Sequence, residues 1–192
     1  MAEATTVERI ARFAHRADGA AMSAQARDRL KLSLLDALGC AIGALGAGPV
    51  GAVRALVEAF GGAPLCTLVG GGRSSPDRAA LLNGCLVRYL DFMDNTARRG
   101  EVCHPADNVA AVLAAAEHAD ASGADFLTAL AVSYTVQTRL LELPTMRAGV
   151  NYTTPLAFSV AAGAGRVLGL DEGPLAHAMA LAGVGAVSLA TI

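Results

Sequence analysis

Apolar residues recur every three or four positions along much of this 192-residue chain, and that spacing restricts its fold more than any other feature. Between residues 23 and 45, Leu30, Leu34, Leu38, Ile42 and Leu45 would share one face of a helix. Alanine and glycine supply much of the 54% hydrophobic content, and such small side chains allow helices to cross closely. Helices do not alternate with strands in the sequence pattern. We therefore predict an all-α multi-helix bundle, with residues 1–192 forming one helical domain.

Capping signals indicate where the helices begin and end. Thr5 and Glu8 have the spacing of a capping box and predict a first helix to about residue 17. Ser23 is the expected N-cap of the second helix, and Pro76 is the expected start of another that ends near residue 90. Further helices are predicted over about residues 50–60, 109–121, 126–143, 154–168 and 171–192. One short extended segment is predicted near residues 64–69, between two glycine clusters.

The last stretch, residues 174–192, is apolar except for His177. Its alanine and glycine content favours a buried helix over a membrane span. No C-cap glycine, basic last turn or polar tail follows it. We therefore expect either a continuing segment or a partner chain to cover this end.

One segment, residues 89–108, concentrates polar groups in a chain with only 17% charged residues. It reads YLDFMDNTARRGEVCHPADN and follows a predicted helix. Asp91 and Asp94 would lie at the C-terminal end of that helix, where the helix dipole disfavours carboxylates. Helix stability therefore does not explain them, although a solvated turn remains an alternative. We interpret this segment as part of a binding or active site.

Within this segment, His104 is the candidate general acid/base. It directly precedes Pro105 and a predicted helix start, where backbone N–H groups favour an anion. A histidine titrates near neutral pH and suits proton transfer, although a structural role is the alternative. Arg98 and Arg99 either bind a carboxylate through paired hydrogen bonds or balance the acids on the surface.

Several other site classes are disfavoured by spacing or charge. Asp91, Asp94, Cys103 and His104 match no zinc or calcium pattern, so no metal site is predicted. A Cys103–His104 nucleophilic pair is disfavoured because neighbouring side chains rarely face each other. A net charge of -2 with no basic run argues against nucleic acid binding. Four cysteines without CxxC spacing predict free thiols in a cytoplasmic protein, not a membrane protein.

Four stretches carry a family resemblance: LLDALGCAIGAL (34–45), AALLNGCLVRYLDFMDN (79–95), CHPADNVAAVLAAAE (103–117) and AAGAGRVLGLDEGPLAHAMALAG (161–183). They resemble the MmgE/PrpD family, which includes 2-methylcitrate dehydratase, cis-aconitate decarboxylase and iminodisuccinate epimerase. The likeness covers essentially the whole chain. It implies the N-terminal portion of a helical domain, without the α/β domain that follows in the family, and homodimers. It also implies lyase or isomerase chemistry on di- and tricarboxylates without a metal or organic cofactor.

The resemblance also assigns residues. The first aspartate of LDFxD and the histidine of HPxDN line the family's pocket, which implies catalytic roles for Asp91 and His104. Asn95 stands where the family often has threonine, with Thr96 next, and Asn151 stands where a histidine is expected. A lysine of the family's site would lie beyond residue 192. The predicted substrate-binding residues are Asp94, Asn95, Thr96, Arg98, Arg99 and Asn151.

Together these observations predict a subunit or fragment of a cofactor-independent lyase or isomerase acting on a small di- or tricarboxylate. His104 would be its acid/base, and Asp91 would orient a substrate hydroxyl or the histidine. We expect a second chain to carry the rest of the family fold, in a dimer or hetero-oligomer. Two alternatives stay open: a non-catalytic helical module for carboxylate binding or dimerisation, and altered chemistry in the biosynthesis of a specialised metabolite.

Overall fold

The computed structural model describes residues 3–98, 101–143 and 149–189. Within these ranges the chain is mostly helical, as predicted, with eight α-helices and two small antiparallel strand pairs. The helices are α1 (Thr6–Arg16), α2 (Ala24–Gly43), α3 (Gly48–Phe60), α4 (Pro76–Tyr89), α5 (Val109–His118), α6 (Gly123–Leu140), α7 (Thr153–Val167) and α8 (Glu172–Gly185). The strands are β1 (Cys66–Thr67), β2 (Arg73–Ser74), β3 (Thr96–Arg98) and β4 (Glu101–Cys103), and a 3₁₀ turn (Pro105–Asn108) precedes α5.

Local capping signals located the helix starts well. Thr5 and Glu8 form the predicted capping box, in which the Thr5 N–H donates to the Glu8 carboxylate at 2.7 Å. Ser23 caps α2 by accepting from the Ala26 N–H at 3.2 Å. Ser122 likewise caps α6, so that helix begins three residues before the predicted position. Such caps depend only on neighbouring residues and are therefore readable in the sequence.

The apolar face predicted for α2 is buried only in part. In α2, Ile42 is 62% exposed, whereas the predicted Leu30 is buried together with Ala37, Cys40 and Ala41. In α4, Leu81 is exposed, whereas its neighbour Leu82 is fully buried. The periodicity was helical, but beyond Leu30 the buried stripe of α2 is formed by alanine and cysteine, not by the larger leucine and isoleucine side chains. Small alanines occupy it because they allow α2 and α4 to pack closely.

The extended segment near residues 64–69 is present as β1, which pairs with β2 through Cys66 opposite Ser74. Gly70, Gly71 and Gly72 join the strands with φ angles of 91°, 118° and 91°. These left-handed conformations favour glycine, which explains the triplet. The second strand pair was not predicted. Strands β3 and β4 lie inside the polar segment 89–108, with Thr96 opposite Cys103.

The last helix does not run to the C-terminus as predicted. Helix α8 ends at Gly185, and the described chain after it returns to the segment before α7. The Asn151 N–H donates to the Ser188 carbonyl at 2.9 Å, and Val150 bridges Leu189. Residues 190–192 lie outside the described ranges. These contacts satisfy backbone groups by pairing distant parts of the chain, which a helical periodicity could not indicate.

Two large apolar clusters form most of the core of the described chain, and a third, small one surrounds Cys103 and Leu141. The first includes side chains from α2 through α6, and the second joins α1, α6, α7 and α8. Helix α6 packs on both, so it connects the two halves. None of the described helices is by itself long and apolar enough to cross a membrane. Helices α2 and α3 meet that test only as a pair bent by 91°, on length and composition alone.

Gly163 tests the close packing of α6 against α7. A Cβ at this position would clash with the Ser133 side chain and lie 2.8 Å from the Ala129 carbonyl. We expect Gly163→Ala to lower the free energy of unfolding by about 1–3 kcal/mol, as overpacking does. The measurement is urea denaturation followed by circular dichroism.

Gly39 provides the matched control, because it also lies inside a helix but a Cβ added there would meet no atom within 4 Å. Gly39→Ala should stabilise the protein by roughly 0.5–1 kcal/mol through its helix propensity. Equal effects of the two substitutions would contradict the close approach of α6 and α7 at Gly163.

Candidate functional site

The chain reverses at Asp91, directly after α4. Asp91 has a φ of 57°, in the left-handed region that aspartate tolerates better than most residues, and its N–H donates to the Arg88 carbonyl at 3.1 Å. Its side chain is 69% exposed and lies 3.4 Å from an Arg88 guanidinium nitrogen. This turn therefore presents one carboxylate and one cation together to solvent at the end of α4.

His104 is half-buried at the start of the 3₁₀ turn, and its ring is held by the main chain. Its Nδ1 lies 3.0 Å from the backbone carbonyl oxygen of Asp94. A carbonyl oxygen only accepts, so Nδ1 must carry the proton in the neutral ring. Nε2 then holds the lone pair, and no hydrogen bond joins it to another described residue. The neutral ring therefore has its basic nitrogen available.

Arg88 lies among several of these groups. Its guanidinium is 3.8 Å from the Asp107 carboxylate and 5.9 Å from the centre of the Tyr152 ring, measured from Cζ. The Tyr152 ring also packs edge-on against His104, with ring centres 5.6 Å apart. The Arg88 side chain is 38% exposed, so a solute can reach it. The cluster combines one reachable cation, one available base and two neighbouring carboxylates.

A family model for the MmgE/PrpD N-terminal domain matches residues 8–192. The chain belongs to the MmgE/PrpD family. The match covers nearly all of the described elements, including the segment with Asp91 and His104. It confirms the resemblance carried by the LDFMD and HPADN stretches.

The MmgE/PrpD residues assigned from sequence do not all meet in this cluster. Asp91 and His104 belong to it, and Asp94 contributes its backbone carbonyl. Asn95 is exposed, and Thr96 belongs to β3, where it pairs with Cys103. Their assignment to substrate binding stays a prediction.

The two predicted arginines and Asn151 have other surroundings. Arg98 faces Glu142 at 3.8 Å, near the end of α6, and Arg99 lies outside the described residues. The Asn151 side chain accepts hydrogen bonds from the Thr153 N–H and hydroxyl, both at 3.0 Å. Asn151 thus supports the start of α7, at the position where the family is expected to have histidine.

Sequence reasoning missed Arg88, Asp107 and Tyr152. A signal for Arg88 was available, since it stands three residues before Asp91 and residues at that spacing are neighbours on a helix surface. Asp107 was present in the HPADN stretch but was not singled out. No local signal pointed to Tyr152, because it reaches His104 only through the packing of the chain before α7.

Burial shapes the electrostatics of the cluster. It raises the pKa of both Asp94 and Asp107, while the Ala106 N–H lowers that of Asp94 and Arg88 lowers that of Asp107. Burial, with the Asp94 charge, raises the pKa of Cys103 to about 12. The Cys103 thiol therefore stays protonated at neutral pH, which disfavours it as a nucleophile.

The metal alternative finds no support in the positions of the described side chains. No three of their histidine, cysteine, aspartate or glutamate side chains are placed to share one ion. The Asp94 carboxylate accepts the Ala106 N–H at 2.8 Å, and Cys103 is buried against Leu141 and Tyr152.

The Arg88–Asp107 pair generates a prediction about pH and stability. Burial raises the pKa of Asp107 above its ordinary value of 3.8, so the fold loses stability as pH increases from that value through the raised pKa. Arg88 partly offsets this effect, so Arg88→Met should increase the loss of stability above the pKa of Asp107. We expect the free energy of unfolding to fall by about 1 kcal/mol more than in the native protein over this pH range, since the partly exposed pair is screened by solvent. Urea denaturation across a pH series is the measurement.

The double variant Arg88→Met with Asp107→Asn is the control, because it removes both charges. It should lose the additional pH dependence that Arg88→Met alone introduces. If Arg88→Met and the native protein show the same pH profile, Arg88 does not stabilise the Asp107 charge.

Proposed function

We propose that this protein binds a small di- or tricarboxylate and provides the acid/base for proton removal next to a carboxylate. Loss of water, loss of CO2 or return of the proton would complete the reaction. The observation that supports this proposal is the fixed His104 ring, which directs its Nδ1–H to the Asp94 carbonyl and leaves Nε2 basic. Membership of the MmgE/PrpD family supports the class of reaction.

Arg88 is suited to receive a substrate carboxylate. Its present partners lie at 3.4 Å and 3.8 Å, distances longer than strong charged hydrogen bonds. A substrate carboxylate can therefore replace or join them as a bidentate partner of the guanidinium. Negative charge that develops next to that carboxylate would be stabilised by the same cation.

The proton balance follows from the His104 geometry. The substrate C–H proton moves to Nε2, and the electron pair of that bond remains on the substrate. The imidazolium then carries protons on both nitrogens, with Nδ1–H still donating to Asp94. The positive ring in turn lowers the pKa of the nearby Asp107 carboxyl, which favours its ionised form. Asp91, exposed directly after α4, can accept a hydrogen bond from a substrate hydroxyl.

A second polypeptide or domain is proposed to complete the site and to cover an apolar surface. On α8, Leu181 and Val184 are 75% and 85% exposed, and Leu189 beyond it is also exposed. A dimer or hetero-oligomer would remove this surface from water. All four cysteines are free, which supports a reducing compartment such as the cytoplasm.

A carboxylate-binding module without turnover is the second candidate. Asn151 favours it, because this residue stands where the family is expected to have histidine and accepts hydrogen bonds at the start of α7. An asparagine side chain has no titrating group for proton transfer. Binding of a tricarboxylate without proton exchange would identify this candidate.

His104→Gln provides the direct test of the proposed chemistry. The protein is incubated with di- and tricarboxylates in D2O, both alone and, where a neighbouring reading frame encodes the remaining family fold, co-expressed with that second chain. Deuterium incorporation next to the carboxylates is followed by NMR. We expect His104→Gln to slow exchange by about 100- to 10,000-fold, the usual contribution of a general base.

His118→Gln is the matched control, because His118 is exposed at the end of α5 and has no part in the cluster. It should leave exchange unchanged. Exchange that persists in folded His104→Gln protein would contradict the role of His104. Binding without exchange in the native protein would favour the non-catalytic module instead.

A further inference from the structure

Asp94 makes two hydrogen bonds to consecutive parts of one turn. Its backbone carbonyl accepts from His104 Nδ1 at 3.0 Å, and its carboxylate Oδ1 accepts from the Ala106 N–H at 2.8 Å. These two contacts lie on either side of Pro105. Because a single residue accepts both bonds, the position of its carbonyl relative to the turn is fixed by its own side chain.

Asp94 lies in a largely buried environment, where its carboxylate needs hydrogen-bond donors. Met93 before it is 4% exposed. Burial raises the pKa of the Asp94 carboxyl, whereas the Ala106 N–H and the buried Tyr134 hydroxyl beside it lower that pKa. A carboxylate removed from water is costly unless it is hydrogen-bonded. The bond from Ala106 meets that requirement, and it raises the cost of letting Asp94 move away from the turn.

We propose that Asp94 is a positioning residue for His104, and that it selects the ring tautomer with the proton on Nδ1. This role rests on the proposed function of His104 as acid/base, and it differs from the substrate contact predicted for Asp94. Without the Ala106 bond, the Asp94 carbonyl is no longer fixed opposite Nδ1. The ring is then free to place its proton on Nε2, and no basic nitrogen faces the substrate.

The position of Asp91 separates this proposal from its closest rival. Asp91 is also near the histidine in sequence, and the family pattern made it a candidate to orient the ring. Its exposed carboxylate instead faces Arg88 at 3.4 Å. Loss of the Asp91 carboxylate should therefore leave the His104 tautomer unchanged. Loss of the Asp94 carboxylate should change it.

The experiment reads the tautomer directly, by ¹⁵N NMR of histidine-labelled protein at a pH where the ring is neutral. The chain has four histidines, and His104→Gln assigns the signal of interest. The native protein should show protonated Nδ1 at His104. Asp94→Ala should lose that signature, and Asp94→Asn should keep it, because an asparagine oxygen still accepts from the Ala106 N–H.

Two controls accompany these variants. Asp91→Ala tests the rival residue, and Asp36→Ala removes a neighbouring negative charge on α2 without removing either Asp94 bond. Both should keep the native tautomer. In the exchange assay, Asp94→Ala should slow turnover by about 100-fold, the effect expected of a misplaced base. Asp94→Asn should recover most of that rate.

The outcomes distinguish this role from the proposed reaction. The positioning role would be overturned if Nε2 carries the proton in the native protein. It would also be overturned if folded Asp94→Ala keeps the native tautomer. Neither result decides whether His104 is the acid/base, which the exchange assay tests separately. If Asp94→Ala does not fold, the His104 tautomer is compared between the native protein and Asp94→Asn. A changed tautomer in Asp94→Asn would also overturn the positioning role. A tautomer change in Asp94→Ala with unaffected exchange in His104→Gln would support the positioning role and contradict the reaction.

Discussion

A buried chain of hydrogen bonds fixes the turn that carries His104. The Asn108 side chain donates to the Gln137 side chain at 2.8 Å and to the Pro105 carbonyl at 3.0 Å. It accepts from the Ser159 hydroxyl at 2.7 Å, and Ser133 donates to the Ser159 carbonyl at 2.9 Å. These side chains are buried, so an unmade bond would leave a polar group without water. The network therefore ties the 3₁₀ turn to both α6 and α7.

This internal attachment explains how an exposed cluster can have a defined geometry. On its inner side, the turn is held by Asn108 and by the Asp94 bonds. On its outer side, Asp91 and the preceding Arg88 remain open to solvent at the end of α4. Arg88 there is favoured by the helix dipole, which offsets the unfavourable position of the Asp91 carboxylate. A turn held in place by hydrogen bonds, with solvent-exposed charged side chains beside it, suits the binding of a small anion.

Local interactions could be predicted from the sequence, and long-range ones could not. The caps at Thr5 and Ser23 involve residues three apart, so their signals were sufficient. The buried face of α2 depends on which helix packs against it, and hydrophobicity misplaced Ile42. The same division applies to the cluster: Asp91, Asp94 and His104 lie in one short segment and were singled out together. Tyr152 comes from 48 positions beyond His104 and was found only in the structure.

We propose that, among the outcomes left open for the proposed reaction, elimination fits the available groups better than epimerisation. Epimerisation requires a proton to leave one face of the substrate carbon and return to the other, which usually needs two groups. In the described cluster, His104 Nε2 is the available base, whereas burial raises the pKa of Tyr152 and keeps its phenol protonated. Tyr152 therefore does not supply a second base, although its hydroxyl group carries a proton. A base beside a protonated donor suits loss of a hydroxyl group, because the departing oxygen needs that proton.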